Sequence, residues 1–255
     1  MKPLLEDKVV LITGAASGIG RECALACVRD GALVMIADVN AAQAEETAHD
    51  LGERAAACFC DVANGAAVES AVSETLARFS RLDAIHNNAG IASPSLPLEE
   101  TTEEDWDRLM AVNLKSVYWT TRFALPYLKQ SRGSVLNTAS MAGVLGQSVH
   151  AAYTATKGAI IALTKSMALD YAPFGIRVNA ICPAGVWTPL LEQWCAEQPD
   201  PEGVRSYLDK IHALGYCPKG DVVADAAVFL LSERARFITG CILPVSGGAE
   251  LGYRR

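Results

Sequence analysis

"KVVLITGAASGIGRECALACVRDG", residues 8–31, carries three signals in a fixed order. Lys8–Thr13 is a short β-branched run, the mark of a buried strand. Gly14, Gly18 and Gly20 follow at G-x-x-x-G-x-G spacing. From Gly20 the apolar residues recur with helical periodicity, up to Gly31, which suits a helix C-terminus. A glycine turn between a strand and a helix is the context in which such a turn holds a dinucleotide. The phosphates approach bare backbone, which a Cβ would block, and the helix N-terminus offers amides and a favourable dipole.

The pattern continues outward. Residues 32–38, 54–62, 82–90, 133–140, 176–182 and 241–248 read as further strands. Helices are expected between them, including a long one over 102–130 opened by Thr101 and Thr102 with acids in its first turn. Strands apolar on both faces and alternating with helices imply a parallel sheet covered on both sides. The reading is α/β: one doubly wound domain over 1–255, with a seven-stranded parallel sheet. Residues 186–218 mix Trp, Pro, Asp and Gly with helical pieces and form an insertion placed to cover the carboxyl edge of the sheet. There is no internal repeat, low-complexity tract or linker.

Composition narrows the function. A formal charge of −7 and a pI of about 5.2, without a sustained basic patch, argue against a nucleic-acid partner. No apolar run reaches the roughly 18 residues of a membrane span, and "MKPLLEDKVV" lacks the apolar core of a signal peptide, so a cytoplasmic protein without a membrane partner is expected. The eight cysteines are then reduced; none shows paired zinc spacing, and no metal is expected. They read as small core residues.

Asp38 ends the second strand, where an acid can accept hydrogen bonds from both hydroxyls of an adenosine ribose and would repel a 2′-phosphate. Val39 and Asn40 bring no compensating charge, and Arg21 lies within the helix after the glycine turn. This favours NAD over NADP. Taken alone, Asp38 could equally be a helix-capping acid.

In "HAAYTATKGA", residues 150–159, Tyr153 and Lys157 share a helix face with only small residues between. Alone, the pair could be an ordinary amphipathic contact. It gains meaning from its company: "TGAASGIG" (13–20), "DV" (61–62), "NNAG" (87–90), Asn113, Ser140, "YTATK" (153–157) and "CPAGVWTP" (182–189). In this order the set resembles the short-chain dehydrogenases/reductases over essentially the whole chain. The resemblance implies a Rossmann-fold dehydrogenase acting on CH–OH donors and a homotetramer. It implies a cofactor site of Gly14, Ser17, Gly18, Ile19, Gly20, Asp38, Asp61 and Val62 (adenine), Asn87, Ala89, Gly90, Pro183, Gly185, Val186 and Thr188 (carboxamide), with Tyr153 and Lys157. It also implies a catalytic set: Ser140 orients the substrate oxygen, Tyr153 is the base, and Asn113 holds a water linking Lys157 to solvent.

A free tyrosine has a pKa of about 10. A nearby ammonium and a positive nicotinamide favour the phenolate, and Lys157 can also bond the nicotinamide ribose. One departure from the family stands out: Pro183-Ala184-Gly185 replaces the usual Pro-Gly.

"VWTPLLEQW" and "GGAELGYRR" resemble the subgroup of L-fucose and related hydroxysteroid dehydrogenases. This places Ser93, Ser140, Gln147, His150, Tyr153, Trp187 and Tyr253 around the substrate, with Tyr253 reaching in from a neighbouring subunit. Trp187 could stack on the C–H face of a pyranose while Gln147 and His150 bond its hydroxyls. On the blander reading, His150 is a surface or capping residue and Trp187 is loop packing. A rival substrate is a hydrophobic secondary alcohol lined by Leu190, Leu191, Trp194 and Tyr207. An acyl-carrier-protein reductase fits poorly with Asp38 and the acidic charge. A non-catalytic dinucleotide-binding scaffold would need a broken Ser-Tyr-Lys set, which is intact.

Overall fold

The computed structural model describes residues 2–92 and 94–251. Seven strands, β1 (Val9–Thr13), β2 (Leu33–Asp38), β3 (Ala55–Phe59), β4 (Ala84–Asn87), β5 (Ser134–Thr138), β6 (Arg177–Pro183) and β7 (Ile242–Val245), form one sheet. Their spatial order is 3-2-1-4-5-6-7 and every pairing is parallel. The order reverses between β1 and β4. The loops leaving these two strands therefore part company and open a crevice at the carboxyl ends.

Helices α1 (Gly18–Arg29), α2 (Ala41–Leu51) and α3 (Gly65–Phe79) connect the first four strands. α1 begins at Gly18, two residues earlier than its periodicity suggests. It ends with Gly31 at φ +88°, the left-handed stop that glycine adopts without strain. β1 shows how the layers divide. Val10 and Ile12 join Cys23, Ala24 and Cys27 on one face, while Val9 and Leu11 join Val68 and Val72 on the other. Leu11 and Ile12 are fully buried, each contributing roughly 1.5–3 kcal/mol. Seven of the eight cysteines are buried free thiols, and burial pushes Cys27 up to about 12.

The long helix expected over 102–130 is not uniform. α4 (Glu103–Leu109) passes through a wide π turn at Met110–Lys115 before continuing as α5 (Ser116–Ser131). The extra residue re-aims Asn113 toward the sheet edge. Short α6 (Ala142–Leu145) precedes α7 (Ala151–Tyr171), which carries Tyr153 and Lys157.

After β6 the insertion folds as α8 (Pro189–Ala196) and α9 (Pro201–Ile211). Each starts with proline, and each is capped: the Thr188 hydroxyl accepts Leu191 N at 3.2 Å, and Asp200 accepts Gly203 N at 2.9 Å. The insertion has a small core of its own, Cys195, Leu208 and Cys217 with Trp187, Leu191 and Trp194 around it. α10 (Asp221–Leu231) then covers the α1 face. Among the described residues no helix is long and apolar enough to cross a membrane.

Candidate active site

The glycine turn is shaped first by the protein itself. A Cβ on Gly14 would sit 2.7 Å from Ala89 Cα, and one on Gly20 would sit 2.1 Å from Gly14 O and 2.5 Å from Asn88 Nδ2. These two glycines admit the 88–90 loop. Its Asn88 donates to Thr13 O and Gly14 O, while the Thr13 hydroxyl accepts from Asn88 N and Ala89 N. Gly18 differs. Its φ is +55°, and its missing Cβ points into the crevice, 3.4 Å from Thr188 across the gap.

Gly20→Ala is therefore expected to lower Tm by about 10 °C or more, because backbone must move. Gly18→Ala should keep the fold, with about 1–3 kcal/mol of strain, and weaken dinucleotide binding. Thermal unfolding and a binding titration of both variants check this; equal Tm values would sink it.

The other features suit a dinucleotide. Ser17 caps α1 without a side-chain bond, and the first turn carries no acid, so the helix N-terminus faces the crevice unneutralised. Asp38 accepts Ala16 N through Oδ2 and Asn40 N through Oδ1, both at 3.0 Å. It is a turn-organising acid as well, and each oxygen retains a lone pair. Arg21 is tied to Asp50 at 3.1 Å. Asp61 accepts Ala63 N at 3.0 Å and Val62 is buried.

Asn87, expected to line the crevice, turns inward. It donates to Asn137 at 2.8 Å, accepts from Thr120, and Asn137 in turn donates to Thr164 at 2.9 Å. Val186 lies in the core. Gly185 explains the departure at Pro183-Ala184-Gly185: a Cβ there would meet His212, Leu208 and Cys217 at 3.2–3.4 Å. The glycine stands one place later because α9 packs on it.

Burial pushes the Tyr153 phenol up, while its hydrogen bond to Ser140 pulls it down. Gly143 holds α6, and with it Ser140, against α7; a Cβ there would be 2.6 Å from Lys157 C. Lys157 donates to Thr138 O at 2.8 Å, and its Nζ lies 5.7 Å from the Tyr153 ring centre. Burial lowers it from 10.5 to about 8. Asn113 grips the loop edge, accepting Ile91 N at 2.8 Å and donating to Ile91 O at 2.9 Å and Thr156 Oγ1 at 3.1 Å. Both amide hydrogens are committed, so the side chain has no donor left for the water expected of it.

Of the residues expected around the substrate, Gln147 is exposed and His150 is 7% exposed. His150 occupies the N-cap of α7, but its ring caps nothing. Trp187 carries the Arg205 guanidinium over its ring at 5.0 Å, so any stacking sugar must use the other face. Ser93 and Tyr253 lie outside the described residues. Sequence reading gave Thr13 and Asn88 no role of their own, although both stand in the motifs at 13–20 and 87–90, and it missed Ser95 and Gly143. Of these, the double asparagine at 87–88 was a visible signal.

Comparison with known proteins agrees with this geometry. A family model described as enoyl-(acyl carrier protein) reductase matches residues 14–250. An L-fucose dehydrogenase of Bos taurus is 44% identical over 97% of this chain and 91% of its own. The ligand-free aldohexose dehydrogenase of Thermoplasma acidophilum is 35% identical with a TM-score of 0.89, covering 100% of this chain and 98% of its own. A 3-ketoacyl-(acyl-carrier-protein) reductase of Brucella melitensis, complexed with NADH, is 37% identical with a TM-score of 0.90, covering 96% and 99%. A nicotinamide dinucleotide is thus the cofactor class. The chain belongs to the short-chain dehydrogenase/reductase family and is an oxidoreductase acting on a CH–OH donor.

Proposed function

We propose that this enzyme oxidises an L-fucose-type aldopyranose at its anomeric hydroxyl to the lactone, with NAD. The hydrogen-bonded Ser140–Tyr153 pair beside the buried Lys157 ammonium carries the reaction. The names of the relatives, L-fucose dehydrogenase and aldohexose dehydrogenase, carry the sugar class.

When bound, the dinucleotide supplies a hydride acceptor at its nicotinamide. The protein's own residues do the rest. Ser140 holds the substrate oxygen, and Tyr153 takes its proton. Lys157 holds positive charge beside the phenol. The glycine turn, Asp38, Asp61, Gly90 and the Pro183–Thr188 segment hold the cofactor.

The apolar-alcohol reading finds little support. Leu190 and Tyr207 are 51% and 62% exposed, and Leu191 and Trp194 pack into the insertion's own core. Absorbance of reduced nicotinamide with L-fucose, its epimers and a hydroxysteroid tests the assignment. Turnover of the steroid alone would overturn it.

NAD preference is supported by Asp38 together with the engagement of Arg21, the cation of the first helix turn, by Asp50. Asp38→Ala is expected to lower kcat/KM with NAD by about 10–100-fold, the worth of charge-assisted bonds to the ribose, and to raise it with NADP. An unchanged NAD:NADP ratio would count against this role.

A homotetramer is supported by two faces. An apolar groove of about 880 Å³ runs between Met110, Leu114, Ala159 and Leu163 of the long helices, and Phe237 is fully exposed near β7. Light scattering of the purified protein reads the assembly directly, and a monomer would refute it.

A further inference from the structure

Three segments distant in sequence meet at one hydroxyl. Ser95 lies in the stretch after β4, Trp194 in α8 and His150 at the head of α7. Trp194 Nε1 donates to Ser95 Oγ at 3.3 Å, and Ser95 Oγ lies 2.8 Å from His150 Nε2. His150 Nδ1 lies 2.9 Å from Ser148 O.

The direction of the chain follows from the inventory. A carbonyl only accepts, so Nδ1 carries the hydrogen, and Nε2 of the neutral ring is an acceptor. Ser95 therefore donates to His150 and accepts from Trp194. Every member is committed: indole to hydroxyl, hydroxyl to imidazole, imidazole to carbonyl.

Two further observations show that this arrangement is held against local preference. Val149, between Ser148 and His150, has φ +51°, a left-handed conformation that is an outlier for a β-branched residue. That turn is what brings the Ser148 carbonyl back to the ring. The His150 ring then meets the Tyr153 ring edge-on, with centres 6.4 Å apart and planes at 74°.

We propose that Ser95 is a positioning residue for the reaction, linking the seat of α8 to the orientation of Tyr153 through His150. This rests on Tyr153 being the base. It also reassigns His150: with both nitrogens engaged, the ring braces the phenol from the side, and within this chain the capacity left for a substrate hydroxyl is the second lone pair of Ser95 Oγ.

The test is a cycle of Ser95→Ala, Trp194→Phe and the double variant, with Ser95→Thr as the conservative control. Steady-state kcat and KM are read for whichever alcohol the wild type turns over, with NADH affinity read by fluorescence titration. Ser95→Ala should lower kcat/KM about tenfold with NADH affinity within twofold, since one hydrogen bond is removed near the base rather than at the cofactor. Ser95→Thr should recover to within about threefold by keeping the hydroxyl. The double variant should be no worse than the poorer single, because both break one chain.

Multiplicative effects in the double variant, or a Ser95→Thr as impaired as Ser95→Ala, would overturn the proposal. So would a Ser95→Ala within twofold of wild type. A purely structural role would lower Tm without this non-additivity in kcat/KM. Tyr153→Phe in the same assay separates the two readings: if it keeps full turnover, the base assignment has failed, whatever the cycle shows.

Discussion

Tyr153→Phe is expected to lower kcat/KM by about two to four orders of magnitude, the usual worth of a positioned general base. The ring remains, so the edge-on contact with His150 and the packing of α7 survive. Only the hydroxyl is lost, together with its bond to Ser140. Tm and NADH affinity should therefore stay close to wild type. The pH profile is the sharper check. Burial holds the phenol above its ordinary value in the free protein, and oxidation needs the phenolate, so wild-type kcat/KM should rise as pH rises from neutral into the alkaline range. Residual activity of the variant should not follow that rise. Turnover near wild type, or an unchanged profile, would remove Tyr153 from the mechanism.

In the free protein the lysine one turn away is not what sets the phenol; its charge acts on the phenolate that forms in the reaction. The ammonium is directed to Thr138 O, and burial dominates the phenol. Ser140 is the group in this chain that pulls the phenol down. Its place depends on Gly143 and on the tight approach of α6 to α7.

The layered sheet was legible because each strand is a short run apolar on both faces and each connection a helix with its own caps. The order of Gly14, Asp38 and Ser140 was legible because each ends or follows a strand, and Tyr153 and Lys157 were legible because they share one face of a helix. What stayed hidden depends on contacts across the fold. The π turn at 110–115 has no proline or glycine to announce it; it follows from Asn113 pairing with both backbone groups of Ile91. Gly14 and Gly20 look like cofactor residues, yet the Ala89 backbone is what excludes a side chain at Gly14, and Gly14 O with the Asn88 amide is what excludes one at Gly20. Val149 belongs by propensity in a strand and instead takes a left-handed turn. The cation over Trp187 comes from α9, which no spacing rule connects to it.

Lys157→Met is expected to give two results of opposite sign. Activity should fall by at least about two orders of magnitude, because the positive charge beside the base is preorganised in a water-excluded site. Stability of the cofactor-free protein at pH 7 should rise. Burial lowers the ammonium from 10.5 to about 8. That gap corresponds to a cost of about 3 kcal/mol at 1.36 kcal/mol per unit. Cys182, the other titratable neighbour, is held up to about 11 by burial and is a neutral thiol at pH 7, so it offers no compensation.

Below pH 8 both folded and unfolded chains keep the proton, and the full cost stands. Between 8 and 10.5 the unfolded chain binds more proton, so this group makes wild-type stability climb with pH; above 10.5 the cost is gone. Methionine avoids the cost but leaves Thr138 O without its donor, a loss of about 1–3 kcal/mol. The net gain of about 1 kcal/mol should raise Tm by about 2–4 °C at pH 7. At pH 10 the order should level or reverse. Thermal unfolding of both proteins at the two pH values decides it. A variant less stable at pH 7, by a margin that pH does not move, would mean that the ammonium is not a destabilising buried charge. If the Tm order holds, a more stable chain lies one substitution away, and the lysine is kept at that position for its charge beside Tyr153.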